Sequence, residues 1–169
     1  MKNLETGKLY VKEIFDKSRF YQVPDYQRPY VWGTQQIVEL LNDLSDAMEA
    51  DSDKEYFLGC MIWNNVESRQ DGYRFDCQDI LDGQQRFLTL YLLHSVIRDL
   101  STSKDLKQKV QERLMQREDK FDDIPARNRV LFSIRKDKSF IDEWVLNDQA
   151  SRSEKEKELF SIGNDDNKS

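Results

Sequence analysis

Asp82-Gly83-Gln84-Gln85-Arg86 places four polar side chains around one glycine, just ahead of the apolar stretch FLTLYLLHSVI. At a strand-to-helix junction the first backbone N–H groups lack partners and lie at the positive end of the helix dipole, so the junction attracts anions. Gly83 would let a phosphate approach the backbone closely and Arg86 adds a permanent cation with forked donors, while Gln84 and Gln85 can hold a water or a ribose hydroxyl. A plainer reading makes Asp82 a helix cap and Gly83 a turn. Capping alone does not call for so many polar residues at the head of an apolar helix, which favours the functional reading.

A second stretch, Val23-Pro24-Asp25-Tyr26-Gln27-Arg28-Pro29-Tyr30-Val31-Trp32, sets Arg28 among prolines and aromatics. A backbone stiffened in this way can aim a guanidinium with little loss of entropy. Taken alone, the stretch reads equally well as an aromatic loop packed on the core with Arg28 stacked on a ring.

The pair of motifs resembles the GmrSD-type restriction endonuclease N-terminal domain family. The pattern I/V-P-x-Y-Q-R-x-Y-x-W matches at Val23, Pro24, Tyr26, Gln27, Arg28, Tyr30 and Trp32. The pattern D-G-Q-Q-R matches at Asp82 through Arg86, followed by Thr89 and Leu90 of the usual L-T-T-L, from which Phe87 and Leu88 depart. The resemblance implies a ParB/sulfiredoxin-like α/β (α+β) fold, a small mixed sheet flanked by helices, with a long central helix after the DGQQR turn. It implies that G-x-x-R at a helix start, here Gly83 and Arg86, binds nucleotide phosphates. It further implies a C-terminal His-Asn-His nuclease domain or subunit as partner, nucleotide hydrolysis controlling cleavage, and action on modified phage DNA. The single histidine of this chain, His94, lies within the apolar run YLLHSVI and is expected to be an ordinary helix residue, so this chain is not expected to cut DNA alone.

The favoured expectation is therefore a nucleoside triphosphate-binding and hydrolysing regulatory domain of a modification-dependent, anti-phage restriction protein. Gly83, Arg86, Arg28, Gln27 and Tyr26 are expected to bind the nucleotide and its phosphates. Asp82, Gln84 and Gln85 are the catalytic candidates, with Asp82 also the candidate ligand for Mg2+ and one of the glutamines orienting the attacking water. Binding is better supported than hydrolysis, because there is no P-loop lysine and only one carboxylate. The alternative is a non-hydrolysing reader of modified DNA in the same cleft, with Tyr30 and Trp32 joining Tyr26 and the arginines against a base. An interaction domain with a vestigial pocket is a third reading, which the intact D-G-Q-Q-R disfavours.

Several elements must position these motifs. Residues 9–15 fit a strand or a helical turn, and periodicity does not decide between them. Thr34 is an N-cap candidate for a helix whose Ile37, Leu40, Leu41 and Leu44 share one face. Tyr56 to Trp63 reads as a strand buried on both faces, with Cys60 and Trp63 in the core. Tyr73 to Leu81 reads as a second strand forming a hairpin through Asp71-Gly72, followed by the long helix after Asp82-Gly83. Further along come an amphipathic helix over 104–118 carrying Leu106, Val110 and Leu114, a strand from Asn128 to Ile134, and a helix capped by Asp137 that carries Phe140, Ile141, Trp144 and Val145. The expected division is a nucleotide-handling domain over 1–147 and a charged, frayed tail over 148–169 that leads to a further region.

With 169 residues the chain is long enough for one core. A net charge of −6 argues against non-specific coating of DNA, which rests on clustered Lys and Arg, but leaves room for a local basic pocket. The absence of a signal peptide or a long apolar run predicts a cytoplasmic protein without a membrane span. Cys60 and Cys77 lack metal-type spacing and are expected to be buried free thiols.

Overall fold

The two-residue connection between Gln70 and Tyr73 and the positive φ of Gly72 (85°) give the tight turn that opposed strands require. Strands β2 (Ile62–Gln70) and β3 (Tyr73–Asp82) accordingly form an antiparallel hairpin, with Val66 opposite Cys77. In the computed structural model, which describes residues 5–50, 55–70, 72–133, 135–148 and 152–165, this hairpin is half of a four-stranded sheet. Strand β1 (Tyr21–Val23) lies parallel to β3, and β6 (Val130–Phe132) lies parallel to β1, giving the order β2-β3-β1-β6. A mixed sheet flanked by helices is the architecture that the motifs lead one to expect.

Proline and aromatic residues end β1 at Val23, and the chain crosses a turn at 25–27 before α2 (Thr34–Glu49) begins. The N-cap of α2 is Gly33 rather than Thr34, because Gln36 reaches back and accepts from the Gly33 N–H at 3.0 Å, leaving Thr34 inside the first turn. Residues 9–15 resolve into a short helix, α1 (Val11–Ile14), with Ile14 buried.

Helix α3 (Gln84–Leu100) lies at the centre of the fold. Phe87, Leu88, Leu90 and Tyr91 are buried, and they meet Tyr21, Val23, Ile80 and Val130 from the sheet. Phe87 stacks on Phe15 at 5.0 Å between ring centroids and packs against Tyr21 at 4.7 Å. Rings of this size contribute about 1.5–3 kcal/mol each on full burial, so this aromatic group anchors α3 to the sheet. Helix α4 (Lys104–Leu114), capped by the Ser103 hydroxyl, packs along α3 through Val110 and Leu114.

Four expectations about elements need correction. The strand expected over Tyr56 to Trp63 begins only at Ile62: Gly59 turns the run out of extended geometry (φ 106°), Tyr56 and Phe57 are exposed, and Trp63 is half-buried against Tyr21. Cys60 is exposed for the same reason, whereas Cys77 is buried and its thiol is pushed up to about 12 by desolvation; both are free. The helix expected to reach 118 stops at Leu114, where β4 (Met115–Gln116) pairs with β5 (Arg127–Asn128). The strand expected over Asn128 to Ile134 is split between β5 and β6, because the Arg129 N–H turns to the Leu114 carbonyl while the Arg129 carbonyl accepts from Tyr21. Asp137 lies inside α5 (Arg135–Phe140), which runs into a π-helical segment, Ile141–Val145, and so does not cap it; Ile134 and Asp71 fall outside the described residues.

The polar carboxyl-terminal stretch is helical over α6 (Arg152–Asp165). Lys155 of α6 is buried and donates to Asp99 at 2.8 Å and to the Asn147 carbonyl at 2.6 Å. Among the described residues no helix is long and apolar enough to cross a membrane.

Candidate functional site

Strand β3 becomes helix α3 through Gly83, whose φ of 81° and lack of a side chain permit the sharp change of direction. The Gly83 N–H donates to Asp82 Oδ1 at 2.8 Å, and among the described residues no side chain caps the N–H groups that follow, so the start of α3 keeps the positive end of its dipole. A Cβ at Gly83 would lie 2.8 Å from Met61 Cγ and 3.1 Å from the Cys60 carbonyl oxygen. Gly83 therefore also admits the 60–61 segment against the junction.

The two motifs, more than fifty residues apart in the chain, are fastened into one unit. Gln85 is buried, and its Oε1 accepts from the N–H groups of Val31 (2.8 Å) and Trp32 (3.3 Å) while its Nε2 donates to the Pro29 carbonyl (3.1 Å). Gln84, also buried, donates from Nε2 to the Arg28 carbonyl at 3.0 Å. Gln27 donates to the Leu81 carbonyl at 3.2 Å, and the Tyr30 hydroxyl bonds the Thr89 hydroxyl at 2.8 Å. The loop that the prolines hold out of helical geometry thus gains its fixed place from the head of α3.

A model of the family described as GmrSD restriction endonuclease, N-terminal domain, matches residues 11–168. The chain belongs to that family. No curated protein matches the chain.

Within this GmrSD N-terminal domain, the interlock separates residues that hold the loop from residues that remain open. Gln85 spends both ends of its amide on loop backbone. Gln84 binds the loop through Nε2, and its Oε1 is buried and has no hydrogen-bond partner among the described residues. Tyr30 and Trp32 are half-buried and pack against the core, whereas Tyr26 is 68% exposed and Arg28 is exposed on the same turn. Among the described residues no carboxylate pairs with Arg28 or Arg86. Arg86 is half-buried, with its guanidinium lying against Gly59. Across that segment the Tyr56 hydroxyl donates to Asp43 Oδ2 at 2.7 Å, a bond that raises the phenol above its usual range.

His94 is remote from these groups. Its Nδ1 bonds the Leu90 carbonyl at 2.7 Å, its ring packs on Phe15 at 4.6 Å, and burial lowers its pKa, as expected of a residue on the inner face of a helix. The segment 59–61 is the part of the site that motif reading missed. Its one signal was a glycine inside an apolar run, which often marks a close backbone approach.

Proposed function

We propose that this domain of a restriction-system protein binds a nucleoside triphosphate at the start of α3 and hydrolyses it, regulating a nuclease that acts on DNA. The observation that carries this reading is the interlock. Gln84 and Gln85 bind the Arg28–Trp32 backbone and so bring a second cation-bearing loop to an uncapped helix N-terminus. Arg86 and Arg28, free of carboxylates among the described residues, would meet phosphate oxygens with forked donors. As water attacks the terminal phosphorus and the bond to the bridging oxygen breaks, the same cations would stabilise the charge on the departing and transferring groups. Of the two glutamines, the water-orienting role falls to Gln84, since the amide of Gln85 is committed.

Asp82 is the single carboxylate of the motif, and its Oδ1 already accepts from Gly83. Among the described residues no three His, Cys, Asp or Glu side chains gather, so a magnesium ion would arrive chelated by the triphosphate and meet the chain through the other oxygen of Asp82, since this ion commonly joins one carboxylate to substrate phosphates.

Calorimetric titration with ATP, GTP, CTP and UTP in the presence of magnesium, alongside assay of phosphate release, tests the proposal. Arg86→Ala is expected to lower triphosphate affinity by tenfold or more, consistent with about 1.5–3 kcal/mol for a hydrogen bond to a charged group. Unchanged affinity in that variant would refute the assignment. The exposure of Tyr26 and Arg28 on one turn favours a second reading, recognition of modified DNA without hydrolysis. Under that reading no triphosphate would bind in the absence of DNA, and modified and plain duplexes would differ in affinity at a fixed salt concentration.

A further inference from the structure

Arg86 has no carboxylate neighbour among the described residues to fix its direction, so its placement depends on packing. What it packs against is Gly59. A methyl group added at Gly59 would overlap Arg86 Nη1 and stand 3.1 Å from Cζ and 3.4 Å from Nη2. Gly59 also has a φ of 106°, a conformation that side chains of L residues rarely adopt. The next two residues make the matching approach on the other side of the junction, where the Cys60 carbonyl and Met61 occupy the space that a Cβ at Gly83 would need. Segment 59–61 therefore touches both the glycine and the arginine of the G-x-x-R turn, and two glycines with positive φ, one on each side, permit the contact.

We infer that Gly59 is the positioning residue for Arg86, and that segment 59–61 is a third wall of the site that takes the phosphates of the nucleotide. The inference rests on the reading that the α3 start binds a triphosphate. The guanidinium lies against the bare Cα of Gly59. Any side chain at 59 would displace it from the phosphates even though Arg86 itself is retained.

The test is a double-mutant cycle on triphosphate affinity in the 169-residue chain, with Gly59→Ala, Arg86→Ala and the two combined, each checked for folding by circular dichroism. Gly59→Ala alone is expected to reproduce the loss seen in Arg86→Ala, tenfold or more, and to add less than twofold when Arg86 is already alanine. Losses that simply multiply would mean that Gly59 acts through general distortion, and would overturn the inference. So would wild-type affinity in Gly59→Ala. If Arg86→Ala binds triphosphate normally, it is the assignment of the site that fails. Should Gly59→Ala not fold, the amide resonance of Gly59 decides: it is expected to differ between the ligand-free wild-type chain and ligand-free Arg86→Ala and to move again in the wild type on saturation with ATP and magnesium, and failure of either shift refutes the inference.

Discussion

At the carboxyl end of α3, Arg98 donates from Nε to Asp99 at 2.8 Å and from Nη1 to Gln111 at 2.5 Å, and Asp99 also accepts from Lys155 of α6. The carbonyls of Leu146 and Asn147 take further donors of this group, and the side chains of Arg98, Asp99 and Lys155 are only 2–3% exposed. Twelve residues earlier, about 18 Å along the same helix by its rise per residue, Arg86 has no such company. Buried charges persist only when paired and hydrogen-bonded, and the far cluster meets that demand within the chain. Among the described residues the near end leaves Arg28 and Arg86 without a carboxylate and Gln84 Oε1 without a hydrogen-bond partner, beside a loop that Gln85 holds through three backbone groups. One helix thus carries an arginine committed to buried partners and another with no carboxylate beside it among the described residues.

That contrast can be broken most forcefully at Asp99. Asp99→Ala would strand two buried cations, and a loss of about 3–5 kcal/mol is expected in chemical denaturation. A loss no larger than that of an exposed substitution would show that the cluster is not the structural anchor of α6. Next in size is Gln85→Ala, which removes the partner of three loop backbone groups and is expected to cost about 1–3 kcal/mol together with triphosphate affinity. Retained affinity would separate the loop from the site. Tyr30→Phe deletes only the bond to Thr89 and should cost about 0.5–1.5 kcal/mol by the same measurement, with affinity little changed.

The smallest effect concerns pH. Burial lowers the pKa of His94 below its usual value, so between the folded and unfolded values the unfolded chain binds more protons. Stability is then fully present above about pH 6.5, the ordinary value, and is lost as pH falls below it. Because the chain has one histidine, His94→Leu should flatten that slope in denaturation midpoints measured from pH 7 to pH 5.5. An unchanged slope would place the acid sensitivity in another group.

Much of this arrangement can be read along the chain. The spacing of Leu40 and Leu44 in α2, the run from Tyr73 and Asp82-Gly83 before an apolar helix each report local geometry, and α2, β3 and α3 follow within a few residues, whereas the first strand of the hairpin runs over Ile62–Gln70 and not over Tyr56–Trp63. Segment 59–61 misled because YFLGCMIW has the composition of a buried strand, whereas Gly59 has a positive φ and the segment lies against Gly83 and Arg86, more than twenty residues later.

By itself, then, the sequence determined the two motifs, the helix they open and the loop they stiffen, since helical period, turn chemistry and the restrictions on proline act over only a few residues. Tertiary structure decided that both glutamines bind the loop while Gln84 keeps one oxygen unpartnered among the described residues, that Cys60 is exposed, and that Lys155 seats α6 on Asp99. Each of those outcomes depends on a partner brought close by the packing of α3 on the sheet. A local pattern of residue types carries no record of what will stand opposite once that packing is complete.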